Sequence, residues 1–318
     1  MHNIIDVSIL IVTWRVKELL DDCFQSIKEN TSCSYEIIVV DNNSRDGTVE
    51  LIKEKYSEIK LIMSDKNLGF AKANNVGIKI ARGENVLLLN PDTIVLAHAI
   101  DNMLKVLGKR NNVGAVGPKV LNKDGSIQLT CGRKFPTIFT EFLDFTELDW
   151  LVHHRRFYKA DCMKNWNHDS EKEVDVLSGC CMMIRKKAIN QVGGLDENLF
   201  MYGDDILLCW EIKQYGWKVH FTPTSKIIHL SGQSSKKEFK ALRFEVLEAQ
   251  LYLFRKIHNH VYSFIYRNVV LITSSLWFFL ECFKYIFVSH EIEKMILSKY
   301  LDRIKWALYR KKTREKVV

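Results

Sequence analysis

The sequence predicts an α/β protein built on a mostly parallel, doubly wound sheet, with a helical extension at its C-terminal end. Three observations carry this prediction. Over residues 7–120, short apolar runs alternate with stretches whose apolar residues recur at helical spacing. The connections between them are short. Two of the apolar runs stop abruptly at acids, Asp41 and Asp92, as strands do where they reach the rim of a sheet. Ligands in open α/β sheets sit at the carboxyl ends of strands, so two carboxylates are expected on one functional edge.

Taken in order, Val7 to Val12 is apolar apart from Ser8 and runs into Thr13 and Trp14, a parallel strand buried on both faces. Leu19, Leu20, Cys23, Phe24 and Ile27 recur at helical spacing. Tyr35 to Val40 is a second strand, ending in Asp41-Asn42-Asn43-Ser44, and Asp46-Gly47-Thr48 is a turn that caps the next helix. Ile59 to Met63 is a short third strand. Asn67-Leu68-Gly69-Phe70 is a loop leading into a helix from Ala71 to Ala81, which Gly83 follows. Val86 to Leu89 is the next strand and ends in Asn90-Pro91-Asp92. A helix from Ala99 to Leu107 and a strand from Val113 to Val120 follow.

Residues 133–172 lack clean periodicity and read as an irregular insertion or loop. Order returns at Val174 to Ile184. Phe200 to Asp205 leads into a helix carrying Leu208, Cys209 and Ile212. Lys218 to Phe221 and Lys226 to Leu230 read as two strand pieces, the second bringing up His229. Glu238 to His258 is an amphipathic helix. These patterns predict one catalytic domain over residues 1–258 and a helical extension over 259–318.

The extension contains Asn268 to Leu280, thirteen residues without a charge, and further aromatics up to Val288. A spanning helix needs about 20 mostly apolar residues, so a buried helix, a helix lying on a membrane and a span all fit this run. The tail carries Arg303, Lys305, Arg310, Lys311, Lys312, Arg314 and Lys316 beside Trp306 and Tyr309. Basic residues and aromatics next to an apolar helix suit an anionic membrane surface, with a solvated terminal helix as the competing reading.

At 318 residues, 47% hydrophobic and 26% charged, the composition is that of an ordinary folded protein. The net charge of +8 favours an anionic partner, a phosphate or an acidic lipid, without pointing to nucleic acid. None of the eight cysteines forms a C-x-x-C pair, and Met1 leads almost directly into a strand. Reduced thiols and a cytosolic catalytic region are therefore expected. His153, His154, Cys162 and His168 match no familiar zinc spacing.

Asp41, Asp92 and the pair Asp204-Asp205 need a joint explanation. There is no G-x-x-x-x-G-K-[ST] loop, and no G-x-G-x-x-G follows the first strand, which excludes a P-loop site and disfavours a dinucleotide fold. Acids at strand ends still suit a nucleotide. One can accept hydrogen bonds from a base or ribose, another can hold a divalent cation against a diphosphate, and a third can act as a base.

At this point the sequence resembles glycosyltransferases of family 2, whose fold is called GT-A, and within them the bacterial rhamnosyltransferase-like members. The motifs are Val-Ser-Ile-Leu-Ile-Val-Thr-Trp from Val7, Ile-Val-Val-Asp-Asn-Asn-Ser ending at Ser44, Asn67-Leu-Gly-Phe-Ala, Leu-Leu-Leu-Asn-Pro-Asp-Thr ending at Thr93, Ser178-Gly179, Phe200 to Asp205, and His229-Leu-Ser-Gly-Gln-Ser. They fall in order over residues 5–258; each is weak alone, and together they are specific for the family more than for its sugar. The resemblance implies an inverting enzyme that moves a sugar, with rhamnose suggested by the branch, from a nucleoside-diphosphate donor to a saccharide or lipid-linked acceptor. It implies Thr13, Asp41, Asn43, Asn67, Gly69, Asn90 and Asp92 on the donor side, and Gly179 and Asp204 on the acceptor side. Asp205 would be the catalytic base. Asp92 and His229 would hold a divalent metal, Mg²⁺ or Mn²⁺. Two positions depart from the pattern: Asn90 replaces the first acid of D-x-D, and Leu207 stands where another acid is common.

Each residue also has a bland reading. Asp41 and Asp92 could cap turns, Asp204-Asp205 could be the acidic first turn of a helix, and Asn67 and Gly69 could be turn residues only. Two other functions compete. One is a non-catalytic sugar-nucleotide-binding subunit, which the intact Asp205 disfavours. The other is a nucleotidyltransferase, disfavoured because the loop from Thr13 to Lys17 lacks glycine.

Overall fold

Apolar strand segments at the N-terminal end of the chain set the architecture. In the computed structural model, which describes residues 5–146, 163, 166–230, 239–287 and 291–309, strand β1 (Val7–Thr13) buries Val7, Ile9, Leu10 and Ile11 almost completely. It lies between β2 (Tyr35–Asp41) and β4 (Asn85–Leu89), with both pairings parallel. β3 (Lys60–Met63) extends the sheet beyond β2. Between these strands run α1 (Lys17–Asn30), α2 (Thr48–Lys55) and α3 (Phe70–Ile80). α1 turns Leu20, Cys23, Phe24 and Ile27 inward, as their spacing predicts. This is the expected strand–helix alternation.

The remaining strands are β5 (Thr93–Val95), β6 (Val113–Leu121), β7 (Lys172–Glu173), β8 (Cys181–Arg185) and β9 (Lys218–His229). The sheet order is β3-β2-β1-β4-β8-β6-β9-β5, with β7 paired to β9. β8 runs antiparallel to both β4 and β6, and β5 and β7 run antiparallel to β9. The other strands share one direction, so the sheet is mixed and mostly parallel. β9 is one strand where the sequence suggests two pieces. Its register against β6 jumps from Pro118↔Thr222 to Lys119↔Lys226, and that bulge is what breaks the pattern in the sequence.

The chain divides into two compact units, residues 1–134 with 163–239 and residues 135–162 with 240–318. The first holds the sheet. The second contains the helices Ile138–Thr146, Phe239–Ile257, His260–Phe287 and Glu291–Tyr309. Its own core joins Leu247, Leu251 and Phe254 to Tyr266, Val270, Trp306 and Ala307. The sequence sets the division at residue 258, whereas these contacts group the helix before that point with the C-terminal helices. Part of the stretch read as an irregular insertion is the regular helix Ile138–Thr146. Residues 147–162, with His153, His154 and Cys162, lie outside the described residues, as do the end of the motif after Leu230 and the tail from Arg310.

Candidate active site

The carboxyl ends of β1 and β2 finish side by side, Thr13 opposite Asp41. Asp41 is buried, and its Oδ2 accepts a hydrogen bond from the Ser44 amide at 3.2 Å, the turn-capping role. Its Oδ1 and the Thr13 Oγ1 are both buried with no hydrogen-bond partner. An orphaned buried polar atom costs about 1–3 kcal/mol, so two on adjacent strand ends mark a place where a polar ligand can supply what the fold does not.

Asn42, which the sequence reading passed over, ties the next loop to this edge. Its Nδ2 donates to the Gly69 carbonyl and its Oδ1 accepts from the Leu68 amide. Asn67 closes the turn by accepting from the Gly69 amide at 2.9 Å. Gly69 has φ +78°, and a Cβ there would lie 2.4 Å from the Phe200 carbonyl oxygen. Phe70 N donates to that same oxygen at 2.8 Å. Asn43 sits at φ 62° with its Oδ1 accepting from Arg45 Nε, directed to the surface rather than to the orphaned pair.

The end of β4 is held as firmly. Asn90 N donates to Cys180 O at 2.9 Å, and Thr93 Oγ1 donates to Asn90 O at 2.6 Å. β5 then pairs with β9 so that Thr93 faces His229. This brings His229 Nε2 to 3.3 Å from Asp92 Oδ1 and 3.3 Å from Asn90 Nδ2. Burial works against a charged His229. The neighbouring Cys180 sulfur and the Asp92 carboxylate outweigh it and push the imidazole up to about 10. A proton on Nε2 makes it the donor to Asp92 and leaves Asn90 Nδ2 outside that bond. Gln128 fixes the ring from the other side, with Oε1 at 3.1 Å from Nδ1 and Nε2 donating to the His229 carbonyl at 2.7 Å.

Among the described residues no group of three or more His, Cys, Asp and Glu is placed to hold a metal ion. Asp92 Oδ1 and His229 Nε2 do converge. The Asp92 carboxylate suits a cation of the Mg²⁺ type, which commonly takes one or two protein carboxylates and completes its shell with substrate phosphates and water, whereas the imidazole is a ligand of softer character. A proton and a metal compete for the same His229 nitrogen.

The third group stands at the start of the helix Asp204–Gln214. Asp204 is buried, and burial together with the Asp205 charge pushes its carboxyl up to about 7. Asp205 keeps 18% of its side chain exposed. Its Oδ2 accepts from Arg133 Nη2 and from the Gly179 amide, both at 3.3 Å, and its Oδ1 accepts from the Ile206 amide at 2.8 Å. A Cβ on Gly179 would lie 3.3 Å from the Asp205 Cβ, a tight contact that glycine avoids.

The three acidic points are thereby connected. Asp41 leads through Asn42 and Gly69 to Phe200, on the segment before Asp205, while Asn90 leads through Cys180 to Gly179 and Asp205. Arg133, Gln128 and Asn42 are the members the sequence reading missed. Their partners lie 72, 101 and 27 residues away; no local motif announces Arg133 or Gln128, and Asn42 stands in the motif ending at Ser44 without a sign of its tie to Gly69.

Residues 8–193 match the family described as Glycosyl transferase family 2. The chain is 26% identical over 247 residues to the N-acetylglucosaminyl-diphospho-decaprenol L-rhamnosyltransferase of Mycobacterium tuberculosis, covering 72% of this chain and 78% of that relative. It is 25% identical over 247 residues to Rhamnosyltransferase WbbL of Escherichia coli, covering 74% and 89%. Among solved structures, the mannosyltransferase PcManGT from Pyrobaculum calidifontis, in complex with GDP-Man and Mn²⁺, matches with a TM-score of 0.57 at 16% identity, covering 98% of this chain and 89% of that one. A likeness at that identity speaks for the fold, which is GT-A. The family match takes in well over half of the sequence and includes the strand ends that carry Thr13, Asp41 and Asp92. The chain therefore belongs to glycosyl transferase family 2, a family of inverting glycosyltransferases, and rhamnosyltransferases are among the members it resembles.

Proposed function

We propose that the protein transfers a sugar, rhamnose in the simplest reading of its relatives, from a nucleoside-diphosphate donor to a hydroxyl of a lipid-linked or polysaccharide acceptor. The orphaned Thr13 Oγ1 and Asp41 Oδ1 receive the nucleoside, beneath the loop of Asn67 and Gly69. Asn43 borders that loop, and Asn90 flanks the diphosphate. Asp92 and His229 hold a divalent cation, Mg²⁺ or Mn²⁺, which when bound neutralises charge on the departing diphosphate. Asp205 takes the proton of the acceptor hydroxyl. The acceptor oxygen attacks the anomeric carbon on the face opposite the diphosphate, which leaves with its bonding pair, and the configuration inverts. Gly179 and Asp204 shape the acceptor side. The work is done at the cytosolic face of a membrane, with the C-terminal helices on the lipid.

The observation that carries this reading is Asp205, a partly exposed carboxylate hydrogen-bonded to the Gly179 amide just before the strand that pairs with β4. A positioned general base contributes on the order of 10²–10⁴-fold. Asp205→Asn should therefore bind donor like the wild type and lose transfer by about that factor. Asp92→Ala should lose the dependence on added Mn²⁺ together with transfer. Transfer at the wild-type rate by Asp205→Asn would remove the base assignment. Donor binding by the wild type without turnover on any acceptor would favour a non-catalytic sugar-nucleotide-binding subunit.

A further inference from the structure

Resting on the reading of Asp205 as the base, the geometry points to Arg133 as its positioning residue, which selects Asp205 Oδ1 as the oxygen that receives the acceptor proton. An ionised carboxylate offers about four lone-pair sites, two on each oxygen. On Oδ2 both are taken, by Arg133 Nη2 and by the Gly179 amide at 3.3 Å each. On Oδ1 one is taken, by the Ile206 amide at 2.8 Å. The remaining acceptor site of Asp205 is therefore on Oδ1. In the reaction the proton passes from the acceptor hydroxyl to Oδ1. The oxygen's electron pair forms the bond to the anomeric carbon, and the diphosphate leaves with the pair of the bond that breaks.

Arg133 is built to hold this arrangement. Its side chain is only 7% exposed. Its backbone is fixed on both sides, its amide donating to Val176 O at 2.9 Å and its carbonyl accepting from the Val176 and Asp175 amides at 3.0 Å. Gly132 before it packs against Trp166, where a Cβ would come within 3.0 Å of the indole ring. The other groups around Asp205 do not substitute for the guanidinium. Lys213 is paired with Asp175 at 2.6 Å. The Cys209 thiol, pushed up to about 12 by burial, stays neutral and accepts from the Leu177 amide. Asp204 is an acid that repels the Asp205 charge. A planar guanidinium holds a carboxylate in a fixed orientation, which an ammonium does less well.

The test uses the full chain and four proteins: wild type, Arg133→Gln, Arg133→Lys and Asp205→Asn. Misplacing a reacting group by about 1 Å costs on the order of 100-fold. Arg133→Gln is expected to keep its donor KM within about twofold, while kcat, measured well below its unfolding midpoint, falls by about 10- to 100-fold. Arg133→Lys, which retains the charge, should recover part of the loss in kcat. If Arg133→Gln does not fold, the Lys variant carries the test, with kcat reduced and donor KM unchanged. Wild-type kcat in Arg133→Gln overturns the inference. So does a fall in kcat that merely tracks lost thermal stability, equally in both Arg133 variants. An inactive Asp205→Asn beside a fully active Arg133→Gln removes only the role of Arg133, whereas a fully active Asp205→Asn removes the base itself.

Discussion

Asp204 is the residue in this site that works against the fold. Its carboxyl is buried at the first turn of its helix, beside the Asp205 charge, and both effects push it up to about 7 from an ordinary value of 3.8. The sign of the consequence follows from linkage. The unfolded chain releases this proton near 3.8, and the native chain keeps it until about 7. Across that window the native state binds more protons, so stability falls as pH rises and levels off above about 7. Asp204→Asn removes the titration. Its stability advantage over the wild type should be largest at pH 8 and should shrink as the pH is lowered toward 4, in denaturant titrations over that series. Parallel stability curves for the two proteins would show that Asp204 is not held protonated by its burial.

At the scale of elements, the junction between the loop at Asn67 and helix α3 is tightly constrained at the edge proposed to bind the donor. Gly69 needs both its φ of +78° and its missing side chain, because a Cβ would meet backbone, the Phe200 carbonyl, at 2.4 Å. Ala at a positive φ usually destabilises by more than about 1 kcal/mol, and here no flexible side chain can yield. Gly69→Ala should therefore lower stability by at least that amount and weaken nucleotide binding. Unchanged nucleotide affinity, measured by calorimetry, would separate this loop from the donor. Elements of this kind were unevenly legible in the sequence. β1, β2 and β4 are dominated by apolar residues because most of their positions are buried, and the acids at the end of β2 and after β4 could be read directly. Thr93–Val95 and Lys172–Glu173 are too short to show any period, and they are strands only because β9 lies beside them. The same holds for the site. Asp41, Asp92, Asp205 and His229 stand in ordered local motifs, whereas Arg133 and Gln128 gain their meaning from partners 72 and 101 residues away.

At the scale of the whole molecule, the two units solve the burial of apolar surface differently. The sheet unit encloses its apolar residues on both faces of the strands. In the second unit, helix His260–Phe287 buries one side, with Tyr266, Val270, Thr273, Ser274 and Glu281, and leaves the other uncovered. Val261, Phe264, Ile265, Ile272, Leu276, Phe279 and Phe283 lie exposed along it at helical spacing. At 1.5 Å per residue this stripe is about 33 Å long. Residues 260–283 are long and apolar enough to cross a membrane, with a mean hydropathy of 1.3. The side that carries Glu281 is packed in protein, so on the proposed membrane placement the helix would lie in the lipid interface rather than span it. On the proposed membrane placement, the charge of +8 and the basic residues of the C-terminal sequence would favour anionic lipid. The protein should therefore sediment with vesicles of phosphatidylglycerol, weakly with phosphatidylcholine, and less as salt is raised. Replacing Phe264, Phe279 and Phe283 together by serine should abolish sedimentation while leaving the thermal unfolding midpoint unchanged. Two results would overturn this assignment: no sedimentation of the wild type with anionic vesicles at low salt, or a lipid-free oligomer that the triple replacement converts to monomer.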